Sequence, residues 1–286
     1  MIKNFVLRLV GAALSLSLIL ISLSGCFTKE EERVLLISVD GLRADKVVEN
    51  DYARYLTENT AYSLEVTTVS PSITLPCHMS MFHSVSPEIH GVDTNTYTPS
   101  ATLGLGIAEA LSGAGKTAAM FYNWREIGYL ATEGTLKTDV YFPGETEGWG
   151  ETNRRLGDAC VEYLNDAPAD FVFLYLGFVD AAGHTDGWLS EEYYYAQDQS
   201  FTIISEVIAA AKAKGYTVII TADHGGHDNT HGTLMKEDMT IPLFIIGNDF
   251  CGGRNLGALS ILDVAPTVNS IMGVEIPEYW QGKVIE

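Results

Sequence analysis

The sequence predicts an α/β fold, a single doubly wound domain with a mostly parallel central sheet and helices on both faces. Three observations carry this reading. Four apolar runs, "RVLLISVD" (33–40), "FVFLYLGFVD" (171–180), "YTVIITAD" (216–223) and "IPLFIIG" (241–247), are nearly continuous rather than alternating. Such runs suit strands buried on both faces. Helical patterns separate the runs, and no internal repeat or low-complexity linker divides the chain.

Taken in order, residues 1–26 stand apart from that fold. Lys3 and Arg8 precede an apolar stretch that ends in small residues and Cys26, the composition of an export signal. Leu23-Ser24-Gly25-Cys26 resembles the lipobox of bacterial lipoproteins. The expectation is an extracytoplasmic protein held at a bacterial membrane by lipid on Cys26, with an uncleaved anchor as the alternative. Residues 27–286 are expected to form the single folded domain. Within it, "TLGLGIAEALSGAG" (102–115) and "RRLGDACVEYLND" (154–166) read as shorter helices. Residues 190–215 open on Ser190 followed by acids and close on lysines and Gly215, which are helix start and stop signals. A last helix is expected over 261–272.

The balance of charge narrows the partners. With 37 acidic against 17 basic residues the formal net charge is −20, which argues against nucleic acid or an anionic lipid surface as a ligand. Beyond Cys26 only Cys77, Cys160 and Cys251 remain, at no regular spacing. This is no disulfide framework.

Three of the four apolar runs end in aspartate, at Asp40, Asp180 and Asp223. Ligands of open α/β sheets bind outside the carboxyl ends of the strands, so these carboxylates are expected to converge and to need a counter-charge. Histidines follow two of them. His184 lies four residues after Asp180, one helical turn on, so both side chains share a face. "TADHGGHDNTHGT" (221–233) holds three of the chain's seven histidines, His224, His227 and His231. A straight helix would part His224 from His231 by about 10 Å. They therefore serve two neighbouring ions, or the glycines fold the loop back. A mixed Asp/His set without thiolate suits zinc with open positions, and manganese less well. Thr74 precedes Pro76, near which a helix is expected to begin, and helix N-termini attract anions. Taken alone, Thr74 reads as a cap or turn residue.

The pieces "SVDGLRAD", "TLPCH", "PEIHGVDTN", "DAAGH", "TADHGG", "THGT" with "MTIPLFIIG", and "ILDVAPTVNSIMG" run in order through residues 38–273. Together they resemble the alkaline phosphatase superfamily, and within it the nucleotide pyrophosphatase/phosphodiesterase branch. The resemblance implies Thr74 as a metal-bound nucleophile. It implies Asp40, Asp223 and His224 with Thr74 at one metal, Asp180, His184 and His231 at the other, and Asn95 as an amide that holds a phosphate oxygen. His227 competes with His231 for the third histidine position. The implied activity is hydrolysis of a phosphodiester or pyrophosphate bond in a small phosphate ester through a phosphothreonine. Leu75 stands where the family often places an aromatic residue that stacks on a base, so a nucleotide substrate does not follow; Tyr122 and Trp124 are the alternative aromatic contacts. A sulfatase would need Cys or Ser, then Pro, then Arg at alternate positions, where this chain has Thr74, Pro76 and His78. The competing readings are a phosphomonoesterase, phosphonate hydrolase or phosphoglycerol transferase on the same metals and, from another class, an inactive binding lipoprotein.

Overall fold

The computed structural model describes residues 32–98, 104–250 and 252–286. The segment expected to be an export signal with its lipobox-like Cys26, and Cys251, lie outside the described residues. Among those described, no helix is long and apolar enough to cross a membrane.

One sheet of eight strands organises the domain. In chain order these are β1 (Arg33–Val39), β2 (Ala61–Thr67), β3 (Ala118–Tyr122), β4 (Leu136–Tyr141), β5 (Phe171–Leu176), β6 (Tyr216–Thr221), β7 (Thr240–Ile246) and β8 (Leu259–Ser260). Their order across the sheet is β4-β3-β5-β1-β6-β7-β2-β8. Strand β1 pairs in parallel with both β5 and β6, and β3 in parallel with β4 and β5. Strand β7 runs against both of its neighbours. Its apolar run suggested no such reversal, because a central antiparallel strand covered on both faces is as continuously apolar as a parallel one.

Among the described residues, seven α-helices longer than four residues cover the sheet: α1 (Asp51–Asn59), α2 (Thr74–His83), α3 (Ile107–Gly113), α4 (Trp149–Asn165), α5 (Phe178–Asp186), α6 (Glu191–Ala213) and α7 (Val264–Ile271). Helix α6 packs on β1 and β6 and against α1, α4 and α5, whereas α2 and α3 each pack against α7, which lies on β1. The doubly wound α/β expectation is met. The long α6 begins where its cap chemistry places it, since the Ser190 side chain accepts the Tyr193 N–H. Every residue of α2 is buried, so this helix serves as a core element rather than a surface one. Cys77 and Cys160 are free thiols in that core.

The carboxyl ends of three adjacent central strands, β5, β1 and β6, therefore open side by side. Asp40 follows β1 directly and Asp223 lies two residues beyond β6. Asp180 differs from the sequence expectation. Its strand stops at Leu176, and Asp180 sits in the first turn of α5, brought back over the sheet edge by the turn at Gly177.

Candidate metal and phosphoester site

Close main-chain approaches bring the three aspartates together. Gly41 adopts φ +70°, and a Cβ there would lie 2.9 Å from the Asp180 Cα, so glycine supplies both the left-handed conformation and the clearance. The Gly41 N–H donates to Asp223 Oδ1 at 3.2 Å. Tyr175, buried on β5, donates its hydroxyl to Asp40 Oδ2. One oxygen of each aspartate is left buried with no hydrogen-bond partner: Asp40 Oδ1, Asp180 Oδ1 and Asp223 Oδ2.

The histidines complete the set with a consistent tautomer. A carbonyl oxygen can only accept, so a histidine Nδ1 facing one must carry the proton. This holds for His224 against the Gly225 carbonyl at 2.8 Å, His231 against Ser72 at 2.8 Å, and His184 against Asn229 at 3.0 Å. Each Nε2 then presents a lone pair. His224 Nε2 lies 3.3 Å from both Asp40 Oδ1 and Asp223 Oδ2 and 3.2 Å from the Thr74 hydroxyl. His184 Nε2 lies 3.6 Å from Asp180 and 3.1 Å from His231 Nε2. His231 Nε2 is 3.8 Å from Asp180. The two rings that a straight helix would separate, His224 and His231, are stacked at 3.8 Å. The loop folds back, and His231 rather than His227 joins Asp180 and His184; His227 instead bonds Asp238 at 2.7 Å.

Asp40, Asp223 and His224 offer ligand atoms within 4.8 Å of one another, as do Asp180, His224 and His231. The first group is closed off, with side chains 0–3% exposed. The second shares the buried His224 with the first and opens outward at Asp180, 16% exposed, beside which His184 stands 44% exposed. The residues fit divalent cations on their own chemistry: orphaned buried carboxylate oxygens face unprotonated imidazole nitrogens, and each imidazole is oriented by a carbonyl on its far side, as metal-ligating histidines are.

The electrostatics agree. Burial, then the facing Asp223, holds the Asp40 carboxyl well above the usual carboxylate range. Burial and Asp40 do the same to Asp180. Burial and Asp180 lift Asp223 to about 8. Burial, with His224 beside it, pushes His231 down to about 2. Without a cation the three carboxyls resist ionisation and His231 resists protonation, and a cation reverses the first penalty.

Thr74 is the first residue of α2. The Leu75 N–H at that helix start donates to Asn95 Oδ1 at 3.0 Å, so Asn95 is tied to the end of the helix that carries Thr74. His78, one turn on, contacts the Thr74 carbonyl and Ser38 Oγ at 2.8 and 2.9 Å, and burial lowers it to about 3. His90 bonds Ser80. Both are internal braces of α2. Tyr122 is buried and Trp124 half-buried; Tyr122 stacks on Tyr141, part of an aromatic cluster.

The sequence reading missed Trp188, Tyr175 and Asp238. Trp188 Nε1 donates to the Gly41 carbonyl at 2.9 Å, and its ring braces His184 and His231 edge-on at 5.2 and 5.9 Å. Gly226 lies against it, where a Cβ would fall 2.2 Å from the indole. A large aromatic four residues beyond a ligand histidine was the available signal.

Comparison with known proteins bears on the fold and the family. The Type I phosphodiesterase / nucleotide pyrophosphatase family matches residues 34–104, and the Metalloenzyme superfamily matches residues 145–276. In these matches and in its fold the chain is similar to the alkaline phosphatase superfamily. The chain is 33% identical over 135 residues to a 2,3-bisphosphoglycerate-independent phosphoglycerate mutase of Bacteroides thetaiotaomicron, a stretch covering 45% of this chain and 26% of the mutase. It thus spans about a quarter of the length of the curated relatives it matches. Murine ectonucleotide pyrophosphatase / phosphodiesterase 5, solved as an inactive variant in complex with AMP, superposes with TM-score 0.72 at 13% identity, over 86% of this chain and 96% of that one. A 2-O GAG sulfatase gives TM-score 0.72 at 14% identity over 90% and 73%. A phosphonate monoester hydrolase from Silicibacter pomeroyi gives 0.65 at 17% over 89% and 76%. At these identities the structures attest the fold alone.

Proposed function

We propose that the chain is a two-metal hydrolase of small phosphate esters, with diesters or pyrophosphates as substrates and Thr74 as nucleophile. The observation that carries this reading is the convergence of three orphaned carboxylate oxygens and three unprotonated imidazole nitrogens beside the Thr74 hydroxyl. Asp40, Asp223 and His224 would hold one divalent ion, and Asp180, His184 and His231 the other; the donor set favours zinc. When bound, the ions supply neutralisation of phosphoryl charge and acidify a hydroxyl.

The chain's own part is placement. Thr74 Oγ1 attacks phosphorus in line; the O–P bond to Thr74 forms as the ester O–P bond breaks, leaving phosphothreonine. Water cleaves that ester and restores the hydroxyl, so configuration at phosphorus is retained overall. Asn95, its carbonyl committed to Leu75, turns its amide hydrogens to a phosphoryl oxygen. The start of α2 adds partial positive charge there. No arginine stands next to Thr74 in the chain to bind the further charge of a monoester, which favours a diester. We also propose that the domain is an extracytoplasmic lipoprotein held through Cys26.

The test combines metal content with turnover. Metal is counted by mass spectrometry, and bis-p-nitrophenyl phosphate is compared with p-nitrophenyl phosphate and p-nitrophenyl sulfate, with Thr74→Ala alongside. Two zincs per chain and diester turnover lost in the variant are expected. Faster monoester turnover would favour a phosphomonoesterase, phosphonate hydrolase or transferase, a reading to which the likeness to phosphoglycerate mutases gives weight. No metal and no turnover would overturn both.

A further inference from the structure

The loop that carries His231 leaves the sheet at Asp223 and returns at β7, and one buried carboxylate ties its two limbs together. Asp238 is fully buried just before β7. Its Oδ1 takes the proton of His227 Nδ1 at 2.7 Å. Its Oδ2 accepts from the Thr233 N–H at 2.8 Å and the Thr233 hydroxyl at 2.7 Å. Its carbonyl accepts the Gly225 N–H at 2.9 Å. His227 lies four residues before His231 and Thr233 two after, so both limbs flanking the ligand are fixed to one side chain. From Thr233 the tether passes to the nucleophile segment: the Thr233 carbonyl accepts from Ser72 Oγ at 2.9 Å, and the Ser72 carbonyl holds His231 Nδ1.

We propose that Asp238 and His227 are positioning residues that set the outer metal site, holding His231 against Asp180 and His184 without touching substrate or ion. The inference rests on the two-ion reading above. The inner group does not depend on this tether, because Asp40 and Asp223 are fixed by β1, β6, Tyr175 and Gly41. Losing the clamp should therefore weaken one ion and spare the other. Removing partners that orient metal ligands typically lowers affinity 10- to 100-fold.

Chelator-stripped full chain is titrated with zinc against a chromophoric competitor, with metal-free melting temperature and circular dichroism recorded for each variant. The parent is expected to bind two zincs. His227→Phe and Asp238→Ala are expected to bind one with parental affinity and the second about 10- to 100-fold more weakly. In His227→Asn the amide nitrogen stands in for Nδ1, so parental binding should return. Asp238→Ala leaves Thr233 and His227 without their acceptor; if it does not fold, the His227 pair carries the test. Parental binding of both ions in folded His227→Phe would overturn the inference. So would His227→Asn binding as weakly as His227→Phe, since His227 would then act through Nε2. A parent that binds fewer than two ions would instead overturn the two-ion reading itself.

Discussion

Gly226→Ala probes how tightly the loop and Trp188 are fitted. The added methyl carbon would fall 2.2 Å from Trp188 Cε2 and 2.5 Å from Cδ2. Ordinary carbon contacts begin near 3.5 Å, so loop or indole must move by about 1.3 Å. Trp188 is only 7% exposed and is pinned by its bond to Gly41, which leaves little room to yield. Overpacking of this kind costs about 1–3 kcal/mol, and loosening the indole hydrogen bond adds about 1 kcal/mol. For a domain of this size that is a fall of roughly 5–15 °C in melting temperature. The same displacement moves the surface on which His184 and His231 lean, so zinc-dependent stabilisation should shrink along with it. Differential scanning fluorimetry with and without zinc reads both quantities. Parental melting and a parental zinc response would refute the argument that this glycine is required for clearance.

The metal-free protein should lose stability as pH rises above neutral. Asp223 has its folded pKa raised to about 8, so its contribution is complete below an unfolded pKa of about 3.9 and is lost as pH rises through 8. His78, His90 and His231 are depressed, by burial foremost, to about 3, 4 and 2; their contributions stand above the unfolded value of about 6.5 and are lost as pH falls. Asp40 and Asp180, raised likewise by burial, add to the alkaline loss and offset the histidine slope on the acid side, so melts in chelator should fall as pH rises above about 6.5–7, and a melting temperature that climbs from pH 7 to 8.5 would contradict this. Asp180→Asn should act with opposite signs in the two states, raising the metal-free melting temperature by relieving burial and repulsion from Asp40 while reducing the gain on adding zinc. A lower metal-free melting temperature in that variant would remove the electrostatic argument.

The sequence carried the central strands and the ligand types because both are local chemistry. Strands β1, β5, β6 and β7 are nearly continuous apolar runs, and the histidine spacings are unusual wherever they fold. The edge elements left no comparable mark: β4 is half-exposed along its length, and β2 reads as a mixed run because its partly open faces carry Tyr62, Leu64 and Glu65. The helical position of Asp180 was hidden by an apolar run that continues past the end of β5. The fold-back between His224 and His231 was one of two alternatives, and what decides it lies seven residues beyond His231, at Asp238. A buried acid ahead of a strand looks in sequence like any loop carboxylate; only its three donors distinguish it. Asn95, by contrast, is found at the end of the helix that bears Thr74.

The placement of β1 between β5 and β6 also bears on how the protein matures. Asp40 leads the chain, yet its partners Tyr175, Asp180, Asp223 and His224 arrive only after most of the polypeptide has been made. An N-terminal fragment would present an isolated acid beside a half-formed sheet, with nothing to bind. Contacts between such distant segments close slowly and late. Cation capture should then act as a seal on the finished domain, in contrast to small zinc modules in which the ion nucleates the fold. Quality control that senses the loaded state would be reading completion of the whole sheet.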